Sequence, residues 1–166
     1  VSGVEVRDMQ AALREAEPAP HRLEYRQFGG VGVIDDSYNA NPASMCAALK
    51  TLAAFPCKGQ RVAVLGDMLE LGAHTERLHH EVGAFATTVA PDLVVTVGRN
   101  SNLIADALEE HFETCGHGAV WRCHDAGEAA AELMRELSEG DVVLLKGSHG
   151  MKLERITQAL RLKFAT

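Results

Sequence analysis

The chain has 166 residues, 46% of them apolar, and a formal charge of −7. That length supports one globular domain with its own core, and the acidic balance argues against a nucleic-acid backbone as the main partner. No apolar run reaches the ~20 residues that a membrane helix needs. Val1 to Val6 has neither the basic start nor the apolar stretch of a signal peptide, so a cytoplasmic location is expected.

Val6, Met9, Ala12 and Leu13 recur at helical spacing, which predicts a short amphipathic helix over Val4 to Ala16, stopped by Pro18 and Pro20. Arg22 to Phe28 alternates, Gly29-Gly30 follows, and Val31 to Asp36 is apolar until its end. Two strands joined at a glycine pair read as a β-hairpin. Asn41 is then placed as an N-cap with Pro42 at the first helical position, and the helix continues over Ala43 to Phe55. Arg61 to Gly66 is a short apolar run of the kind found in buried parallel strands. A helix from about Thr75 to Ala90 carries Leu78, Val82, Phe85 and Val89 on one face. Leu93 to Gly98 is another buried strand, followed by a helix around Ser101 to His111 and a weaker strand over Ala119 to Arg122. Asp125 caps a helix running to about Ser138, Asp141 to Lys146 is the last strand, and Met151 to Phe164 the last helix. Strands alternating with helices predict a Rossmann-like, three-layer α/β domain, with a mostly parallel mixed sheet and an antiparallel hairpin at one edge.

In such sheets ligands bind beyond the carboxyl ends of the strands. The segments there are Asp35 to Pro42, Gly66 to Gly72, Gly98 to Asn100 and Lys146 to Lys152, and all four are polar. None has the G-x-G-x-x-G spacing of a dinucleotide fingerprint, and the chain contains no G-x-x-x-x-G-K-[ST] phosphate loop. These loops can therefore touch a base and ribose, or a zwitterionic small molecule, but cannot cradle a triphosphate and its magnesium. A carboxylate such as Asp36 suits ribose hydroxyls, because an ionised acceptor makes the stronger hydrogen bond. Cys46, Cys57, Cys115 and Cys123 form no CxxC pair and are expected to be reduced thiols. Cys115, His117, Cys123 and His124 are chemically fit for zinc but not at the spacing of a knuckle, so no metal site is expected.

Three of these segments carry a resemblance. Asp35-Asp36-Ser37-Tyr38-Asn39-Ala40-Asn41-Pro42, the run Val64 to Gly72, and Leu145-Lys146-Gly147-Ser148 resemble the third domain of the Mur-type amide ligases. Pro20-His21-Arg22-Leu23-Glu24 is similar to the segment that opens this domain in that family. The resemblance covers about Pro20 onward, so residues 20–166 are expected to be the ligase C-terminal, substrate-clamping domain and residues 1–19 a linker or the tail of a central domain. It implies a three-domain cytoplasmic ligase of peptidoglycan synthesis. Such an enzyme uses ATP and Mg, bound mainly by the central domain, to turn the tripeptide carboxylate of a UDP-N-acetylmuramoyl-tripeptide into an acyl phosphate. The amine of D-alanyl-D-alanine then attacks that carbon. The resemblance gives this domain no catalytic residue. It implies nucleotide contacts from Arg22 and Asp36 to phosphate or ribose, with Tyr38, Asn39 and Asn41 near the base. It also implies that Asp67, Lys146, Ser148, His149 and Lys152 face the amino substrate. His149 stands where relatives often carry Arg, and a histidine is cationic only part of the time near neutral pH. A monomer that is inactive by itself is expected.

Plainer readings stand beside these. Asn41-Pro42 is also an ordinary helix start, and Asp67 can cap a turn. Asp35 and Asp36 point to opposite faces of a strand, so one is structural, and Asp36 is the functional choice. His74, His79 and His80 fit solvated or hydrogen-bonded side chains. Arg155, Arg161 and Lys163 fit a solvated face with a favourable charge at a helix C-terminus. The alternatives to a D-alanyl-D-alanine-adding ligase are a Mur-type ligase with another amino substrate, a stand-alone nucleotide-binding module, or a non-catalytic interaction domain.

Overall fold

The computed structural model describes residues 19–164 together with Arg7. The helix expected over Val4 to Ala16, and the linker expected over residues 1–19 up to its last residue, therefore fall, Arg7 apart, outside the described residues.

From residue 19 onward the order is β1 (Glu24–Phe28), β2 (Val31–Asp36), α1 (Pro42–Ala54), β3 (Arg61–Gly66), α2 (Thr75–Val89), β4 (Leu93–Val97), α3 (Asn102–Cys115), β5 (Ala119–Cys123), α4 (Ala126–Glu136), β6 (Val142–Lys146) and α5 (Glu154–Phe164). Short 3₁₀ turns precede α2 at Gly72–His74 and α5 at His149–Met151. The six strands form one sheet in the order β1-β2-β6-β3-β4-β5, with β1 antiparallel to β2 and every other pairing parallel. This is the expected mixed sheet with its edge hairpin. Gly29 and Gly30 both have positive φ, the backbone that a two-residue hairpin turn requires.

Local chemistry explains where the elements start. Asn41 caps α1 through a reciprocal box with Ser44, its side chain accepting from the Ser44 amide at 2.9 Å while Ser44 Oγ accepts from the Asn41 amide at 3.0 Å. Asp125 caps α4, accepting from the amides of Gly127 and Glu128. One strand starts later than its alternation suggests. His21 and Leu23 adopt φ of 58° and 51°, so the chain is still turning there and β1 begins at Glu24. At the other end of the chain, Lys152 at φ 57° closes a 3₁₀ turn, and α5 begins at Glu154 rather than Met151.

The sheet is covered on both faces. Met45, Leu49, Val82, Ile104 and Leu108 from α1, α2 and α3 pack on Ile34, Ala63, Leu65 and Leu144. Ala129, Leu133, Ile156 and Leu160 from α4 and α5 pack on Val33, Val62, Val64, Val95, Val143 and Leu145. Strand residues of alternating parity feed the two cores, which is why β3, β4 and β6 are apolar throughout.

Candidate functional site

Strand order decides where the sheet can hold a ligand. The helices after β2, β3 and β4 lie on one face and those after β5 and β6 on the other. β6 is inserted between β2 and β3. On either side of β6 the connections therefore leave to opposite faces, and a crevice opens at the carboxyl ends of these strands.

A cavity of about 300 Å³ lies beside β2 and β6, lined by Arg22, Leu23, Asp36, Tyr38, Asn39, Asn41, Ser44 and Lys146. It contains every residue expected at the nucleotide, and it adds Lys146, expected from the sequence on the amino-substrate side. Asp36 and Lys146 are register partners across the parallel pair and share a face. The Lys146 ammonium, only 3% exposed, lies 3.0 Å from Asp36 Oδ2. It also donates to the carbonyls of Asp36, at 3.1 Å, and Asn39. All three of its protons are thereby spent on the segment Asp35 to Pro42, the signature loop of the family resemblance. Asp36 Oδ1 accepts from the Leu23 amide at 3.2 Å. On the opposite wall the Arg22 guanidinium stacks 4.2 Å above the half-exposed Tyr38 ring, and the His149 imidazole lies 6.2 Å from that ring. A guanidinium, a half-exposed aromatic ring and a fixed carboxylate together suit a planar base with a hydroxylated or anionic attachment. The Asn41 side chain is engaged in its capping box, so its contribution to the cavity is shape.

Asp35 turns to the other face of the sheet. Its carboxylate is 1% exposed and accepts from Ser37 Oγ at 2.6 Å, the Ser37 amide at 3.2 Å, Thr157 Oγ1 at 3.0 Å and His21 Nδ1 at 2.9 Å. Of the aspartate pair, Asp35 is the structural member.

The loops after β3, β4 and β6 are tied to one another through Asp67. Its amide donates to the Val97 carbonyl at 3.2 Å and its carbonyl accepts from the Ser148 amide at 3.1 Å. Its buried carboxylate accepts from the Ser101 amide at 2.7 Å and from Asn100 Nδ2 at 3.2 Å. Ser148, also buried, accepts from the Leu69 amide through Oγ at 2.9 Å. Gly98, at φ 110°, lets these loops close, since a Cβ there would sit 2.6 Å from Met151 Cε. Of the residues expected at the amino substrate, Asp67 and Ser148 thus fasten the loops, while His149 and Lys152 stand exposed on their outer surface. Asp67→Asn should lower stability by about 1–3 kcal/mol, because an amide turns a donor toward the Ser101 or Asn100 donors. Chemical denaturation of the variant against the parent checks this; an unchanged midpoint would count against the fastening role.

Of the three clustered histidines, His79 is fully buried. Its Nε2 accepts from the Met68 amide at 3.0 Å and its Nδ1 donates to the Thr75 carbonyl at 2.7 Å, so it supports the loop after β3. His74 and His80 are exposed. The zinc-competent residues do not converge. His117 pairs with Asp92 at 3.2 Å, His124 is 94% exposed, and all four cysteines are free thiols. Among the described residues no group of three or more His, Cys, Asp or Glu is placed to hold a metal ion, and no helix is long and apolar enough to cross a membrane.

Comparison with known proteins places the fold in a family. The family model described as "Mur ligase, glutamate ligase domain" matches residues 21–149. The UDP-N-acetylmuramoyl-tripeptide–D-alanyl-D-alanine ligase of Bacillus subtilis is 36% identical over 159 residues, covering 95% of this chain and 34% of that protein. A crystal structure of MurF from Acinetobacter baumannii superposes with a TM-score of 0.82 at 29% identity, over 96% of this chain and 34% of that one. MurF ligase from Thermotoga maritima, solved in complex with ADP, gives 0.75 at 26% identity, over 98% and 34%. The chain spans about a third of the length of the relatives it matches. With the family model matching from the segment before β1 to the loop after β6, and a sheet of the same topology, the chain belongs to the Mur ligase family through its glutamate ligase domain.

Proposed function

We propose that this chain is the C-terminal third of a cytoplasmic, ATP-dependent ligase that joins D-alanyl-D-alanine to UDP-N-acetylmuramoyl-tripeptide. The observation that carries this reading is the convergence of Arg22, Asp36, Tyr38 and Asn39 on one cavity at the β2/β6 switch in strand order. The similarity to D-alanyl-D-alanine ligases along 95% of the chain supports the choice of amino substrate. In this reading Arg22 and Asp36 meet the phosphate or ribose of the nucleotide, and Tyr38 and Asn39 the base, with Asn41 shaping the entrance. Lys146 holds the signature loop and the charge of Asp36 in place. His149 and Lys152 face the incoming dipeptide, on loops that Asp67 and Ser148 fasten.

The proposed reaction makes an acyl phosphate from the tripeptide carboxylate and ATP, releasing ADP. The dipeptide amine then attacks the acyl carbon and inorganic phosphate leaves. The described residues include no magnesium set and the sequence no phosphate loop, so ATP's phosphates and Mg fall to the preceding domains. What this chain supplies is position and water exclusion, which guard an intermediate that water would destroy. The test uses the ligase that carries this chain as its C-terminal third. Phosphate release should require UDP-N-acetylmuramoyl-tripeptide and D-alanyl-D-alanine together. Turnover with a single amino acid in place of the dipeptide would instead assign the domain to another Mur-type ligase.

A further inference from the structure

The segment that carries Arg22 into the cavity is held in an unusual way. His21 and Leu23 both have left-handed backbone, at φ 58° and 51°, although neither is glycine. Such conformations persist only where the surroundings over-determine them, and they gather at ligand clamps. Here the restraints can be named. The His21 amide donates to Glu24 Oε2 at 3.3 Å, its carbonyl accepts from the Tyr38 amide at 3.0 Å, and its imidazole Nδ1 donates to Asp35 Oδ2 at 2.9 Å. The Leu23 amide donates to Asp36 Oδ1 at 3.2 Å. Both neighbours of Arg22 are therefore pinned, while Arg22 itself is exposed and stacked on Tyr38.

We infer that His21 is a positioning residue for the nucleotide, acting through Arg22: the adjacent aspartates, Asp35 from one face of the sheet and Asp36 from the other, clasp the chain on either side of it. Asp35 can act as an anchor because it is itself immobilised. Thr157 on α5 and Ser37 in the signature loop both donate to its buried carboxylate. Loss of the His21 imidazole frees a strained turn to relax, and the guanidinium leaves the Tyr38 face without any change in the cavity's own side chains. The reading rests on the nucleotide role proposed above for Arg22.

The experiment is a mutant cycle in the ligase that carries this chain, with Michaelis constants for ATP and for the dipeptide measured separately. His21→Ala should raise KM for ATP about tenfold, the scale of one charge-assisted hydrogen bond, with the dipeptide KM unchanged. His21→Asn should restore KM to within about twofold, since asparagine tolerates left-handed backbone and presents an amide donor to Asp35. On an Arg22→Ala background, removing His21 should change nothing further, as two residues acting as one unit are not additive. Additive effects, or failure of asparagine to rescue, would overturn the positioning role while leaving the nucleotide site standing. An unchanged ATP KM in Arg22→Ala, or no turnover by the parent ligase, would overturn the proposed function and this inference with it.

Discussion

Lys146→Met should lower the stability of the fold by about 3–5 kcal/mol, the range for removing one partner of a buried ion pair. Methionine nearly preserves the volume and the apolar stem, so the packing of β6 between β2 and β3 is retained. What disappears is the cation. Asp36, whose side chain is 16% exposed, loses the ammonium at 3.0 Å and keeps only the Leu23 amide. The carbonyls of Asp36 and Asn39 lose a donor at the same moment. Thermal unfolding followed by circular dichroism should show the midpoint falling by roughly 6–20 °C for a domain of this size. Adding Asp36→Asn should recover part of the loss, because the second substitution removes the stranded charge. A loss under about 1 kcal/mol would mean that water screens the pair and that Lys146 does not hold the loop.

The purified chain, given ATP, magnesium, UDP-N-acetylmuramoyl-tripeptide and D-alanyl-D-alanine, should release no phosphate above background. Anions bind readily where a helix N-terminus offers free amides. Here three of the helix starts at the carboxyl end of the sheet are already closed from within. α1 begins with Pro42, which has no amide proton, and its cap is the Asn41–Ser44 box. Asp67 occupies the Ser101 amide before α3, and Asp125 the first amides of α4, so two of the three carry a carboxylate where a phosphate would have to sit. The base and ribose contacts proposed for the β2/β6 cavity should, without the phosphate terms, support only weak nucleotide binding. Separately expressed preceding domains should restore no more than trace turnover, because the lost tether removes the effective concentration that a short linker provides. Phosphate release by the chain alone would show that it is a complete enzyme.

The parts of this protein that were legible in the sequence are those set by interactions a few residues long. Strand and helix periodicities from β1 onward, the Gly29-Gly30 turn, the Asn41-Pro42 and Asp125 helix starts, and the opposite directions of Asp35 and Asp36 all depend on local backbone geometry, and the structure contains each of them. The signature loop announced its place for the same reason, since it directly follows a strand. Leu23 is the local exception. Its alternating neighbours suggested strand, but the bond of its amide to Asp36, 13 residues away, holds it in a turn.

Pairings between distant segments were decided only by the tertiary structure. Parallel strands buried on both faces, such as β3, β4 and β6, read alike as runs of valine and leucine, and nothing within such a run names its neighbour. The insertion of β6 between β2 and β3 is chosen by how the helices α1 to α5 cover two faces. That choice sets Lys146 against the Asp36 carbonyl, 110 residues away in the chain, and makes it part of the lining of the β2/β6 cavity. It likewise makes Asp67 the cap of a helix start 34 residues further on. The sequence by itself determined which side chains stand at the carboxyl ends of the strands; the order of the strands, fixed by burial of apolar surface, determined which of them meet.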